Sequence, residues 1–129
     1  MVEDVINKKQ AIDLLLECCR EEKMSDLHLT NSLPPMGRQR GMIVPLKGMP
    51  ELMSSMIEDM ANSMLMQIGE TYSPLRDVDF CYVSADGNRN RVNVYTQFGS
   101  PAVAIRMLND EIPTIDEMGL PELFKNLAM

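Results

Sequence analysis

The sequence has no phosphate loop. None of its seven glycines opens a Gly-x-x-x-x-Gly-Lys-Ser/Thr run, whose amides would cradle the phosphates of a nucleotide, so these residues offer no means of hydrolysing ATP by themselves. A second route to catalysis is missing too, because the single histidine, His28, has only Asp26 and Thr30 beside it on one strand face and no nucleophile motif. One histidine, with three cysteines that form no Cys-x-x-Cys pair, falls short of the spaced ligands a tetrahedral zinc site requires. Cys18, Cys19 and Cys81 are expected to be free thiols of a reducing cytosol, since their count is odd and neighbours such as Cys18 and Cys19 project about 100° apart on a helix. No apolar run approaches the ~20 residues of a membrane span, and Glu3 and Asp4 stand where an export signal is basic, so neither export nor insertion is expected. Basic clusters are scarce. Lys and Arg number 12 against 19 Asp and Glu, and the net charge of -7 opposes nucleic acid or anionic lipid as the main partner. The densest positive stretch, Arg38, Arg40 and Lys47, flanks a turn and reads as a solvated hairpin.

What is present is ordinary for one globular domain: 129 residues, 45% hydrophobic and 24% charged. Ile12, Leu15, Leu16 and Cys19 follow the spacing of one helical face, with Val5 a heptad earlier, and predict a helix over 3–22. Leu27 and Leu29 alternate with Asp26, His28 and Thr30, the period of a strand with one buried face. Two short strands around Arg40-Gly41 are expected over 36–46, with Pro45 at an edge or strand end. Pro50 is expected to open a second helix that ends near Gly69 and carries Met53, Met56, Ile57, Met60 and Met64 as a core-facing stripe. Strands over 77–84 and 90–97 flank a two-residue turn at Asp86-Gly87, and another follows over 102–108. Connections this short exclude repeated crossovers. They predict an α+β fold, an antiparallel sheet with helices packed mainly on one face. In the tail, Ile115, Met118, Leu120, Leu123, Phe124 and Leu127 present apolar surface that calls for a partner.

Arg91 and Arg106 occupy strand-like runs on the face opposite the valines and isoleucine, a placement that suits an anion. Read in isolation they are surface arginines, paired across the sheet to Asp77 or Asp79. Ala102 and Ala104 leave space beside Arg106, however, and Asn93, Tyr95 and Gln97 share the face of Arg91, so the same surface is a roomy polar docking site. Asp26 and His28 read first as a polar strand face that holds a neighbouring loop by hydrogen bonds, and second as an interface.

Asp26-Leu27-His28-Leu29, then Leu33-Pro34-Pro35-Met36, Asp79-Phe80, Arg91-Val92-Asn93 with Arg106, Glu111-Ile112-Pro113 and Glu117-Met118-Gly119-Leu120-Pro121 follow one another in a register that resembles the N-terminal domain of the type IV pilus retraction ATPases, the PilT family of the secretion-ATPase superfamily. The resemblance spans about residues 24–128. It implies a PAS-like N-terminal domain over 1–109 and a connector over 110–129 to a RecA-like ATPase domain absent from this chain. It implies a hexamer in which Arg91 and Arg106 approach nucleotide held by the RecA-like domain, and in which Asp26, His28, Leu120, Leu123 and Phe124 are interface candidates. By the same resemblance ATP and magnesium belong to the full-length protein, an ATPase, and the fragment itself takes no cofactor and is no enzyme. The resemblance further implies a cytoplasmic protein, peripheral to the inner membrane and partnered by the pilus base machinery. Phe98-Gly99-Ser100 departs from the family, many of whose members carry another arginine there. A reading from a different class is a free-standing PAS-like sensor whose methionine stripe lines a small-ligand pocket; an enzyme built on His28 ranks behind both.

Overall fold

In the computed structural model, which describes residues 2–108, the alternation around Leu27 and Leu29 becomes β1 (Asp26–Leu29). A hairpin of β2 (Met36–Gln39) and β3 (Met42–Pro45) follows, and after a helix come β4 (Val78–Val83), β5 (Arg89–Gln97) and β6 (Ser100–Met107). Every neighbouring pair is antiparallel in the order β3-β2-β1-β6-β5-β4, so the first and last strands lie side by side near the centre. The register lines up Gly37, Leu27, Ile105, Val92 and Phe80 in one row and Leu29, Val103, Val94 and Val78 in the next. Leu27, Leu29, Val92, Val94, Val103 and Ile105 are each 1% exposed or less, which fixes this as the core face.

Two helices cover that face. Ile12, Leu16 and Cys19 of α1 (Val2–Glu21) and Ile57, Ala61, Met64 and Leu65 of α2 (Ser54–Leu65) are buried in the same cluster as the strand residues. α2 runs against β6, and α1 packs on α2 and β1. The α+β expectation, an antiparallel sheet with helices on one face, is borne out. Polar ties seat α1 on the far strands: the Tyr82 hydroxyl donates to Asp13 Oδ1 at 2.8 Å and Arg20 Nη2 donates to Asn90 Oδ1 at 2.9 Å. Burial first, and then the Asp13 carboxylate, push the Tyr82 phenol well above its ordinary value. Burial likewise raises the Cys19 thiol to about 12, and Cys18, Cys19 and Cys81 are all free.

Three local expectations need correction. The second helix starts at Ser54 rather than Pro50, because residues 50–53 are drawn into a bridge: Leu52 N–H donates to Leu33 O and Ser32 N–H to Leu52 O, each at 2.8 Å, with Leu52 buried. The methionine stripe also splits. Met60 and Met64 pack into the core with Ile57 and Leu65, while Met53 and Met56 are exposed. Finally, Asp86-Gly87 is not a two-residue connection. Gly87 N–H bonds Ser84 O, Ser84 N–H bonds Asn88 O, and Gly87 takes the left-handed φ of 87° that closes a turn with a bulge. The Arg40-Gly41 turn is as expected, with φ of 54° and 80°.

Gly37 shows how tightly the β2 end is packed. A Cβ there would stand 2.2 Å from Met24 Sδ, because the thioether lies flat on the glycine. Gly37→Ala is therefore expected to displace the flexible end of Met24 at a cost of about 1 kcal/mol or less. In a urea-denaturation cycle with Met24→Ala the two changes should couple by about 0.5 kcal/mol, the double variant being more stable than their sum; additivity would mean that the contact is not formed.

The chain leaves the sheet from its centre. Met107 N–H donates to Ser25 O at 3.0 Å and Leu108 N–H to Arg89 O at 3.1 Å. No helix among the described residues is long and apolar enough to cross a membrane.

Candidate functional site

Since side chains alternate along a strand, the residues between the buried ones emerge on the sheet face that α1 and α2 do not cover. The register sets Arg38, Asp26, Arg106, Arg91 and Cys81 abreast on five consecutive strands. One step along lie Met36, His28, Ala104, Asn93 and Asp79. Asp26, His28, Arg91 and Arg106, far apart in the chain, are thus brought onto one face. Leu120, Leu123 and Phe124 lie outside the described residues, as do 110–129 as a whole.

Two ion pairs organise this face. Arg91 grips Asp79 with both ends of its fork, Nε to Oδ1 at 3.3 Å and Nη2 to Oδ2 at 3.0 Å. The hydrogen bond from Arg91 holds the Asp79 carboxyl below the usual range, and its charge adds to the effect. A carboxylate whose value is lowered on folding lends stability above its unfolded value and loses it as pH falls through the lowered one. Both side chains are more than half exposed, so that contribution is small. Arg106 Nε meets Asp26 Oδ2 at 3.4 Å, while Asp26 Oδ1 accepts from Ser25 Oγ at 2.6 Å and stands 3.9 Å from Arg38 Nε. The residue Asp26 is only 8% exposed.

Between the pairs runs a groove of about 300 Å³ lined by Asp26, Asp79, Arg91, Asn93, Ala104 and Arg106. Its floor is low because Ala104 is small. Ala102 leaves no comparable space: it is 1% exposed and borders a separate hollow of about 140 Å³ beneath Phe98. Arginines outnumber aspartates in the row and its neighbour, which makes a locally positive strip on a chain of net charge -7.

Asp79, foreseen with Asp77 as a partner, is the one that pairs with Arg91. Arg106 pairs instead with Asp26, whose carboxylate thus holds an arginine of β6 rather than a loop. Arg38 was read as part of a solvated hairpin, yet it reaches the same carboxylate. The signal for it lay in the hairpin: once β2 folds back on β1, Arg38 falls opposite Asp26.

No protein-family model matches the chain. It is 27% identical over 115 residues to the type IV pilus ATPase PilU of Pseudomonas aeruginosa, an alignment covering 89% of this chain and 30% of that protein. It is also 27% identical over 117 residues to the type IV pilus retraction ATPase PilT of the same bacterium, covering 88% and 33%. A crystal structure of the pilus retraction motor PilT with bound ADP superposes with a TM-score of 0.69 and 30% identity, over 87% of this chain and 33% of that one. The chain therefore spans about a third of the length of the relatives it matches. PilU and PilT are homologues over most of this chain, and the similarity is to the N-terminal region of these pilus ATPases.

Proposed function

We propose that this chain is the N-terminal regulatory and assembly domain of a hexameric, ATP-driven type IV pilus retraction motor. The observation that carries the reading is the placement of Arg91 and Arg106 directly across from one another on the uncovered sheet face. Residues 1–109 form the domain and 110–129 the connector to a RecA-like ATPase domain that holds ATP and magnesium. Packed against that domain, its own or a neighbouring subunit's, the arginines meet the terminal phosphate. A guanidinium drawn to a phosphate by domain closure ties nucleotide state to domain angle, because the attraction lasts only while the phosphate is there. Hydrolysis releases it, and the rigid-body change passes round the ring. The motor works in the cytoplasm at the inner-membrane base of the pilus, with Asp26, His28, Leu120, Leu123 and Phe124 at interfaces. Support comes from homologues that are ATPases and from the coverage of only a third of their length.

The domain alone cannot cradle nucleotide. Calorimetric titration of the chain with a non-hydrolysable ATP analogue is expected to show a Kd no tighter than about 1 mM. Micromolar affinity would refute the assignment.

A further inference from the structure

Arg91 and Arg106 are a direct cross-strand pair of like charge, an arrangement that repels in an antiparallel ladder. It is compensated from both sides: Asp26 on β1 flanks Arg106, and Asp79 on β4 flanks Arg91, giving a quartet of charges ordered minus, plus, plus, minus. We propose that the two aspartates are latches, each occupying one guanidinium of the groove until a polyphosphate anion takes its place. Nucleotide arrival is then an exchange of partners rather than the capture of free cations. The proposal rests on the preceding reading for which polyphosphate the complete protein presents.

The geometry allows both latches to open. A guanidinium has five N–H donors; Arg91 commits Nε and Nη2 to Asp79, whereas the bond from Arg106 to Asp26 uses Nε. The two side chains are 68% and 69% exposed and line the groove, so donors not committed to the aspartates are open to solvent. When Arg106 swings away, Asp26 keeps Ser25 Oγ and the Arg38 guanidinium, and no buried carboxylate is left bare. When Arg91 swings away, Asp79 is hydrated, its side chain being 51% exposed. Each aspartate carries one charge and serves chiefly one arginine, while a polyphosphate can engage both at once and relieve their repulsion.

Calorimetric titration of the chain with sodium tripolyphosphate at low ionic strength tests the exchange. Wild type is expected to bind weakly, in the millimolar range, and Asp79→Asn about tenfold more tightly because one competitor is gone. Arg91→Ala should weaken binding about tenfold. Asp77→Asn, which removes the same charge from outside the pair, should shift affinity far less than Asp79→Asn. The latch is overturned if Asp79→Asn binds no more tightly than wild type, or if Asp77→Asn gains as much. Undiminished affinity in Arg91→Ala would remove the groove as the site. Failure of the motor reading looks different: tripolyphosphate binding obeys these shifts, yet Arg106→Ala leaves ATP turnover by the complete gene product unchanged.

Discussion

On the proposed function, ATP turnover by the full-length motor is expected to fall about a hundredfold when Arg106 is replaced by alanine, and by a similar factor for Arg91→Ala. A donor aimed at charge that develops in a transition state is worth two to three powers of ten in rate, roughly, and an arginine finger can exceed that. The lower figure applies because the proposed function gives two guanidiniums one target. For the same reason the double variant should lose little beyond either single one, residues that act on one phosphate being far from additive. Arg106→Lys should restore only part of the rate, since an ammonium cannot present the fork. Folding should be spared: both side chains are more than two-thirds exposed, and Asp26 retains Ser25 and Arg38 when Arg106 is gone. A steady-state assay of hydrolysis alongside thermal unfolding checks both halves. Wild-type turnover in both single variants would remove the arginine argument.

The largest loss of stability is expected at Asn90. This side chain is fully buried on the core face, where Nδ2 donates to Tyr82 O at 3.1 Å and Asn88 O at 3.2 Å and Oδ1 accepts from Arg20. It joins α1, β4 and the turn before β5. Asn90→Ala removes three hydrogen bonds and strips a partner from Arg20, whose buried Nε has no hydrogen-bond partner among the described residues even in the wild type. The cost should be about 3 kcal/mol, a fall in Tm of roughly 9–14 °C for a domain of this size. Asn90→Asp, although isosteric, is not a rescue: it would still face Arg20 but would turn a carboxylate toward two carbonyl oxygens that need a donor. Urea denaturation of the two variants measures this. A change below about 1 kcal/mol for Asn90→Ala would show that the hub is not structural.

Much of this architecture is legible in the sequence because it follows from parity and turn chemistry. Alternation at Leu27 and Leu29, at Val92 and Val94 and at Val103 and Ile105 assigns β1, β5 and β6 a buried face, and thereby puts Arg91 and Arg106 on the other. Parity cannot set which residues of different strands stand abreast. The partnership of Asp26 with Arg106 and the recruitment of Arg38 depend on register, which the sequence leaves open. Asn90 was readable in principle, two residues before Val92 on the inward side, but a polar side chain there looks like a surface residue until Arg20 is seen above it. The helix start was misplaced because Pro50 is a good first-turn residue, whereas the two hydrogen bonds between Leu52 and residues 32–33 are long-range and outweigh it. That shift leaves Met53 at the helix cap instead of in its second turn.

β6 is bonded along both flanks, to β1 and to β5, and the chain departs from its end one residue beyond Met107. A pull on the polypeptide past Leu108, directed along the strand, loads those two ladders in shear. Their bonds then carry the tension together instead of parting one after another like a zip, so force passes into the sheet with little local yielding. Arg106 sits two residues from the point of attachment, just inside the bonds that Met107 and Leu108 make to Ser25 and Arg89, so tension at the exit reaches its strand position early.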